Sequence, residues 1–225
     1  SDATAREARV LLGTDRVVAV HLGPPHAPAA APAGDPATMS RLAGARFVLA
    51  IGTEEHRKDL ARLVDAFGAL ADERTTLVLA GAPGDASADV DRAVARLSAT
   101  AADRVVRLGR VDDATKDWLL RHAAVLAYPS LDEGFGFPIV EAQLAGTPVV
   151  ATDVGSIGEI GGSGVMLVPG GDTARLTEAL ARALDDGGVR LSLIEAGHRN
   201  ARRFSWSSTA DGLVELYRTA IGAGR

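Results

Sequence analysis

Two kinds of apolar pattern alternate along the chain after residue 45. Continuous aliphatic runs predict strands, at residues 47–52, 76–80, 105–108, 124–128, 148–151 and 165–168. Apolar residues that recur every three or four positions predict helices, at residues 60–70, 89–97, 113–123, 138–145, 173–184, 189–202 and 205–220. Strands this aliphatic are buried on both faces. The pattern therefore predicts an α/β fold, a doubly wound Rossmann-like parallel sheet with helices on both faces.

The first 45 residues follow a different pattern. A short helix is predicted at 3–12 and a strand at 16–22. Pro24 and four further prolines then fall within residues 24–36, and such a segment is typical of a semi-rigid linker. We therefore divide the chain into a helix and strand at 1–23, a Pro/Ala-rich linker at 24–45, a Rossmann-like domain at 46–203 and a C-terminal helix at 204–225.

Composition narrows the class of protein. With 47% hydrophobic and 24% charged residues, the chain can bury a sizeable core, and no apolar run is long enough to span a membrane. The absence of cysteine excludes a disulfide scaffold and any thiolate metal site. A net charge of −5 argues against a nucleic-acid surface. Because residues 1–9 are polar and give no sign of a signal peptide, we expect a cytoplasmic protein.

Chemistry-bearing residues are densest at residues 130–142. Gly134 and Gly136 form a loop that leaves backbone N–H groups exposed, and the loop runs directly into the start of a helix. Free N–H groups and the helix dipole favour anionic oxygen at such a point. Glu133 precedes the turn, and Glu141 follows eight positions later within the helix. One loop can therefore present amides to a phosphate or sugar and a carboxylate to each of two sugar rings.

This stretch resembles the E-x7-E element of retaining glycosyltransferases with the two-domain GT-B fold, in particular the glycosyl transferases group 1, or family 4. Residues 50–53 with 57–59, 77–81, 106–111, 145–151 and 155–160 resemble further motifs of that family in the same order. The resemblance covers about residues 46–220 and implies the C-terminal half of a GT-B fold. Asp59 stands where the family usually has Asn, and Gly158 where it usually has Pro.

The resemblance implies a role for each matching residue. Arg57 and Lys58 resemble the pair that holds the donor diphosphate and offsets charge on the departing nucleotide, and Glu133 the carboxylate near the donor sugar. Glu141 resembles the ribose ligand, and Arg110 and Val111 resemble the residues that contact the base through their backbone. The remaining implied donor-binding residues are Gly52, Thr53, Gly134, Phe135, Gly136, Phe137 and Pro138.

The implied activity is retaining transfer of a hexosyl unit from a nucleoside diphosphate sugar to an acceptor hydroxyl, with no metal cofactor. Residues 1–23 resemble only the end of the family's N-terminal acceptor domain, so the acceptor, a sugar, lipid or small molecule, would bind to residues absent from this chain. The final helix resembles the one that packs back on that domain. The isolated chain is then expected to turn over little, and any membrane contact of the full-length enzyme to be peripheral.

Other interpretations remain open. A stand-alone nucleotide or sugar-phosphate binding module without transfer activity is the main alternative. Asp89 and Asp91 spell the Asp-x-Asp of metal-dependent glycosyltransferases, but they fall within a predicted amphipathic helix and are better explained as first-turn anions. The five histidines have no metal-ligand spacing. Trp118, Tyr128 and the other large aromatics are predicted to be packing residues.

Overall fold

The computed structural model describes residues 1–24 and 34–222, and nearly all of them after residue 45 form an alternating α/β domain. The α-helices are α1 (Asp2–Leu12), α2 (Pro36–Ala43), α3 (Leu60–Gly68), α4 (Ser87–Arg96), α5 (Ala99–Ala102), α6 (Asp113–His122), α7 (Phe137–Ala145), α8 (Ile157–Gly161), α9 (Thr173–Asp185), α10 (Gly187–Ala201) and α11 (Trp206–Gly222). The strands are β1 (Arg46–Ile51), β2 (Thr75–Ala80), β3 (Val105–Gly109), β4 (Val125–Tyr128), β5 (Val149–Thr152) and β6 (Val165–Val168). Two short 3₁₀ helices span His56–Lys58 and Gly162–Gly164.

The sheet is doubly wound, as predicted. Its six strands are parallel and lie in the order β3-β2-β1-β4-β5-β6. The chain moves outward from β1 to β3, returns to place β4 on the other side of β1, and then continues to β6. The connection after β1 therefore runs to one side of the sheet and the connection after β4 runs to the other. At such a switch point, a parallel sheet has a ligand-binding crevice beyond the carboxyl ends of its strands.

Both faces of the sheet are buried because alternate strand residues feed two separate cores. Val48 and Ala50 of β1 face a core closed by α3, α4 and α9. Phe47 and Leu49 face the opposite core, which includes residues of α6, α7 and α8. The two-sided burial explains why the strands consist of continuous aliphatic residues rather than an alternating pattern.

The predicted strand at 16–22 is wrong. The structure assigns no regular element to residues 15–24, although α1 before them is confirmed. The polar groups of this segment pair with a helix instead of a neighbouring strand: Gly23 N–H donates to the Thr209 hydroxyl at 2.9 Å, and that hydroxyl donates to His21 O at 2.8 Å. These hydrogen bonds join the segment to α11 and not to a strand of the sheet.

The predicted linker at 24–45 is wrong in part, because α2 lies within it. Asp35 caps this helix by accepting from Thr38 N–H at 2.8 Å, and Pro36 occupies the first turn, where its missing N–H costs nothing. Leu42 is buried in the second core. Residues 25–33 of the linker lie outside the described residues. No helix in the described part of the chain is long and apolar enough to cross a lipid bilayer.

Candidate functional site

The candidate site lies at the switch point, where the loops that follow β1 and β4 meet. Lys58 closes the 3₁₀ helix after β1, and Glu133 lies in the loop after β4. The two segments are joined by a backbone hydrogen bond from Leu131 N–H to Arg57 O at 2.7 Å. Arg57 and Lys58 therefore contact Glu133, a residue more than 70 positions later in the chain.

Two cationic side chains and one hydroxyl group converge on a single carboxylate oxygen. Glu133 Oε1 accepts from Lys58 Nζ, from Arg57 Nη1 at 2.8 Å and from Ser130 Oγ at 3.3 Å. Lys58 Nζ also donates to the Tyr128 hydroxyl at 2.8 Å and lies 4.6 Å from the centre of its ring. Tyr128 was predicted to be a packing residue, and the structure adds this polar contact to its buried ring.

Burial and pairing act together on the ionisation of this cluster. Burial opposes ionisation of Glu133, but the Lys58 ammonium and the Arg57 guanidinium outweigh it and hold the pKa of this carboxyl below its usual value. Burial lowers the pKa of Lys58, because Glu133 offsets only part of the cost of desolvating the ammonium. Burial also raises the pKa of Tyr128, which stays a neutral phenol.

Gly52 makes room for the lysine. Its φ of +140° lies in the region that L side chains rarely adopt, and an added Cβ would lie 3.3 Å from Lys58 Cε. The Lys58 side chain therefore crosses directly over Gly52. Thr53 follows in the same loop, and Glu54 after it is buried against the Arg107 guanidinium, whose Nε donates to Glu54 Oε1 at 3.0 Å.

Arg57 is the exposed member of the cation pair. Its side chain is 46% exposed, whereas that of Lys58 is 9% exposed. Arg57 also contacts Glu55, with 2.7 Å between Nε and Oε2. Two cations, Arg57 and Lys58, and two carboxylates, Glu55 and Glu133, thus balance one another. Glu55 lies on the solvent side, so its ion pair with Arg57 is weaker than the ion pair of Arg57 with Glu133.

The loop at residues 133–136, which we call the glycine loop, is bonded through its carbonyl groups. Ser156 Oγ donates to Glu133 O at 2.9 Å and to Phe135 O at 3.1 Å. Gly134 O accepts from Thr4 Oγ1 at 3.0 Å. Among the described residues, no acceptor contacts the N–H groups of Gly134, Phe135 or Gly136. The loop is therefore held through its carbonyl oxygens, and within the described residues its three N–H groups are left available to a ligand.

Close contact between two turns fixes the glycine loop further. Gly155, after β5, has a φ of +54°, and an added Cβ would lie 2.6 Å from Glu133 O. The loop leads into α7, where Gly136 is the N-cap with a φ of +93° and no side chain caps the helix. Phe137 and Pro138 begin the first turn; Pro138 has no N–H, and Ile139 N–H donates to Gly136 O at 3.0 Å. The Phe137 N–H therefore has no acceptor among the described residues at this helix start.

Glu141 forms a second charged pair, separate from the first. Its Oε1 accepts from Lys116 Nζ at 2.9 Å, and the Glu141 side chain is 10% exposed. Burial disfavours the Lys116 ammonium, but Glu141 and Asp113 outweigh this effect and raise the pKa of Lys116. Sequence reasoning did not single out Lys116, because a lysine in the first turn of an amphipathic helix is usually solvated.

Arg110 and Val111 line a cavity of about 390 Å³. Thr115 of α6 borders the same cavity, and its opposite wall is formed by Asp35, Thr38 and Met39 at the start of α2. In the described residues, Arg110 forms no hydrogen bond or ion pair with Glu141 and Lys116, or with Arg57, Lys58 and Glu133. The structure thus brings together Arg57, Lys58 and Glu133, and it places Glu141 and Arg110 in two further groups.

Asp89 and Asp91, whose spacing resembles a metal motif, contact different side chains. Both lie in α4, as predicted, where Asp89 pairs with Arg92 and with His56 at 3.4 Å. Asp91 pairs with Arg107. The two carboxylates therefore bind different cations.

Comparison with known proteins points to one family. The family model described as glycosyl transferases group 1 matches residues 45–186, which is more than half of the chain. The D-inositol 3-phosphate glycosyltransferase of Salinispora arenicola is 37% identical over 163 residues, which cover 69% of this chain and 35% of that protein. The phosphatidyl-myo-inositol mannosyltransferase of Mycobacterium leprae is 40% identical over 124 residues, which cover 52% of this chain and 32% of that protein. The chain spans about a third of the length of these relatives.

Solved structures show the same fold. The sucrose-phosphate synthase of Thermosynechococcus elongatus matches with a TM-score of 0.78 and 26% identity, over 98% of this chain and 57% of that one. HepE of Anabaena, solved in complex with UDP and glucose, matches with a TM-score of 0.73 and 23% identity, over 81% of this chain and 50% of that one. The second likeness is one of fold alone.

Proposed function

Because the chain belongs to the glycosyl transferases group 1, we propose that it forms the nucleotide-sugar-binding part of a retaining GT-B glycosyltransferase. The observation that carries the proposal is the meeting of Arg57, Lys58 and Glu133 at the switch point, beside a glycine loop whose N–H groups have no acceptor in the described residues. Cations and unpaired amides at one crevice match the chemistry of a diphosphate joined to a sugar.

Each group has a distinct role in the proposal. Arg57 and Lys58 bind the donor diphosphate, and Glu133, which pairs with them in this structure, turns one oxygen to the sugar hydroxyls. The amides of Gly134 to Gly136 bind oxygens of the sugar, and the start of α7 faces the phosphates. Glu141, held by Lys116, accepts from the ribose hydroxyls, and the cavity beside Arg110 and Val111 receives the base.

In the proposed reaction, the acceptor oxygen bonds to the anomeric carbon as the bond from that carbon to the diphosphate breaks. The acceptor proton passes to the leaving diphosphate, and the product keeps the anomeric configuration. Arg57 and Lys58 stabilise the charge that develops on the leaving group, which is the contribution we expect to be largest. This division of labour needs no metal ion. The acceptor binds to residues outside this chain, and we place the reaction in the cytoplasm.

The similar proteins guide the choice of donor to test. One is named as a mannosyltransferase and another was solved with UDP and glucose. We therefore begin with UDP-glucose and GDP-mannose, together with UDP, GDP and ADP. Binding is measured as a rise in melting temperature, since a ligand that binds only the folded state stabilises it by mass action.

The variants Arg57→Ala, Lys58→Ala and Glu141→Ala should each reduce the rise in melting temperature. Arg57→Ala disturbs the fold least, because the Arg57 side chain is half exposed. Arg175→Ala and Glu178→Ala are matched controls, because these residues form an exposed pair on α9. If no nucleoside diphosphate or sugar nucleotide shifts the melting temperature at millimolar concentration, the proposal is wrong. If the donor binds but no acceptor panel yields transfer in the full-length enzyme, the chain is a binding module instead.

A further inference from the structure

Residues near the start of the chain contact the glycine loop directly. Gly134 O accepts from two hydroxyl groups, Ser1 Oγ at 2.8 Å and Thr4 Oγ1, in the first turn of α1, at 3.0 Å. Thr4 is also the nearest side chain to the position of a Cβ on Gly134, at 3.7 Å. The glycine loop, whose N–H groups have no acceptor in the described part of the chain, is therefore bonded on its carbonyl side by a segment more than 120 residues earlier.

A second contact fixes the position of α1 itself. The Glu159 carboxylate, in α8, accepts from Asp2 N–H at 2.7 Å and from Ala3 N–H at 2.9 Å. It also pairs with His21 Nε2 at 2.8 Å. Burial opposes ionisation of Glu159, but these donors outweigh it and lower the pKa of this carboxyl. One charged group therefore joins α8, the start of α1 and the segment that follows α1.

The ring of His21 makes a further contact with the glycine loop. Its centre lies 6.1 Å from that of Phe135 in an edge-to-face arrangement, and 5.7 Å from that of Phe204. The Phe135 ring also packs on Phe204 and on Phe137. The side chain at the middle of the glycine loop is thus held among aromatic rings, while its backbone N–H has no acceptor in the described residues.

Asp2, His21 and Glu159 also place three possible metal ligands within 4.8 Å of one another. Both Glu159 oxygens, however, already accept hydrogen bonds from N–H groups at ordinary distances. A carboxylate whose oxygens are taken up in this way is a poor ligand for a cation. The cluster is better explained by the contacts that it makes than by an ion.

We propose that Thr4, His21 and Glu159 are positioning residues that hold the glycine loop in the shape that binds the donor sugar. The inference rests on the proposed function, because the loop amides are useful only if a sugar lies against them. Thr4 and His21 contact Gly134 and Phe135 of the loop, and Glu159 holds both of them, through the start of α1 and through His21. Among the described residues, none of the three contacts Arg57 or Lys58, so they should affect binding of the sugar and leave binding of the diphosphate unchanged. The specific prediction is a loss confined to the sugar part of the donor.

The test compares each nucleotide with its sugar conjugate on the same protein. Dissociation constants are measured by calorimetry for UDP and UDP-glucose and for GDP and GDP-mannose, and the pair with the tighter wild-type binding is used. Thr4→Val and His21→Phe remove a hydrogen-bond donor but keep the approximate shape. Each should weaken the sugar conjugate about fivefold, the factor expected for one neutral hydrogen bond, and change the nucleoside diphosphate less than twofold. Thr4→Ser keeps a donor and should restore the sugar conjugate to within twofold of wild type.

The outcomes separate this inference from the proposed function. If the wild-type chain binds none of the four compounds, the proposed function fails, and this inference fails with it. If UDP or GDP binds but the Thr4→Val and His21→Phe variants bind the sugar conjugate as tightly as wild type, only the positioning role is wrong. An equal loss for nucleotide and conjugate also overturns it, because a general loss of structure has that effect. Glu159→Gln, which keeps the side-chain volume, should show the same confined loss.

Discussion

Replacement of Glu133 with glutamine removes the charge that Lys58 and Arg57 share while it preserves the shape of the side chain. Lys58 and Glu133 are each 9% exposed, so the variant leaves a largely buried ammonium without its counter-ion. Removal of one partner from a buried pair costs about 3–5 kcal/mol. We expect the lower end, about 3 kcal/mol, because the amide oxygen and the Tyr128 hydroxyl still accept from Lys58. For a chain of this size, that loss lowers the melting temperature by about 6–12 °C.

The same variant should gain more from an added anion than the wild type does. Pyrophosphate supplies the negative charge that Glu133→Gln lacks, and it no longer competes with a carboxylate for the cations. At a concentration about 100 times its dissociation constant, it contributes about 2.7 kcal/mol to stability. Thermal unfolding of both proteins across a pyrophosphate titration should therefore bring the two melting temperatures together.

Glu55→Gln is the matched control, because Glu55 contacts the same Arg57 at the solvent side of the site. Exposed pairs contribute about 0–1 kcal/mol, so this variant should unfold within about 4 °C of wild type. The reasoning is refuted if Glu133→Gln unfolds at the wild-type temperature. It is also refuted if pyrophosphate stabilises the variant less than the wild type.

Three further predictions follow from the same site. Because the folded-state pKa of Glu133 is lowered, its stabilising effect is complete above the unfolded value near 4.3 and is lost as the pH falls; melting temperatures between pH 7 and pH 3 should fall less steeply in Glu133→Gln, and parallel curves would contradict this. Gly52→Ala forces a φ of +140° on a side chain and should cost about 1–3 kcal/mol, measured by urea unfolding, with an unchanged midpoint as the contrary result. Glu141→Gln should weaken nucleotide binding but not pyrophosphate binding, since only the nucleotide carries ribose hydroxyls; equal effects by calorimetry would exclude a ribose contact.

The domain after residue 45 was predictable because its signals are local and consistent. Every predicted strand there and every predicted helix is present, with bounds that shift by two residues or fewer at nearly every end. The aliphatic runs are unbroken because each strand is buried on both faces, and periodic helices separate them. The short helix α5 was not predicted, because four residues are too few to show a period.

The N-terminal segment was less predictable because its structure depends on distant partners. Residues 16–22 have the composition of a strand, but their neighbour is Thr209 of α11 rather than another strand. The prolines around residue 36 concealed the helix α2, in which Leu42 is buried. Neither outcome follows from local pattern, since both depend on contacts with residues much later in the chain.

The site was predictable as a set of residues and not as an arrangement. The family resemblance indicated Arg57, Lys58 and Glu133, and the structure brings these three together. Spacing did not show that Tyr128 also holds the lysine or that Lys116 holds Glu141. Those partners come from elements whose own sequence pattern is fully explained by packing, so nothing in the sequence marks their polar contacts.

The position of β4 beside β1 has a consequence for the order in which the protein folds. Val48 pairs with Val125 and Leu49 with Leu126, so the central contact of the sheet closes a long loop of chain. Such contacts form late, because the entropy of loop closure opposes them until neighbouring structure is in place. The proposed donor site lies between the loops that follow β1 and β4. A ligand that contacts both loops must dissociate before these two strands separate. Donor binding should therefore slow unfolding while it leaves the folding rate nearly unchanged.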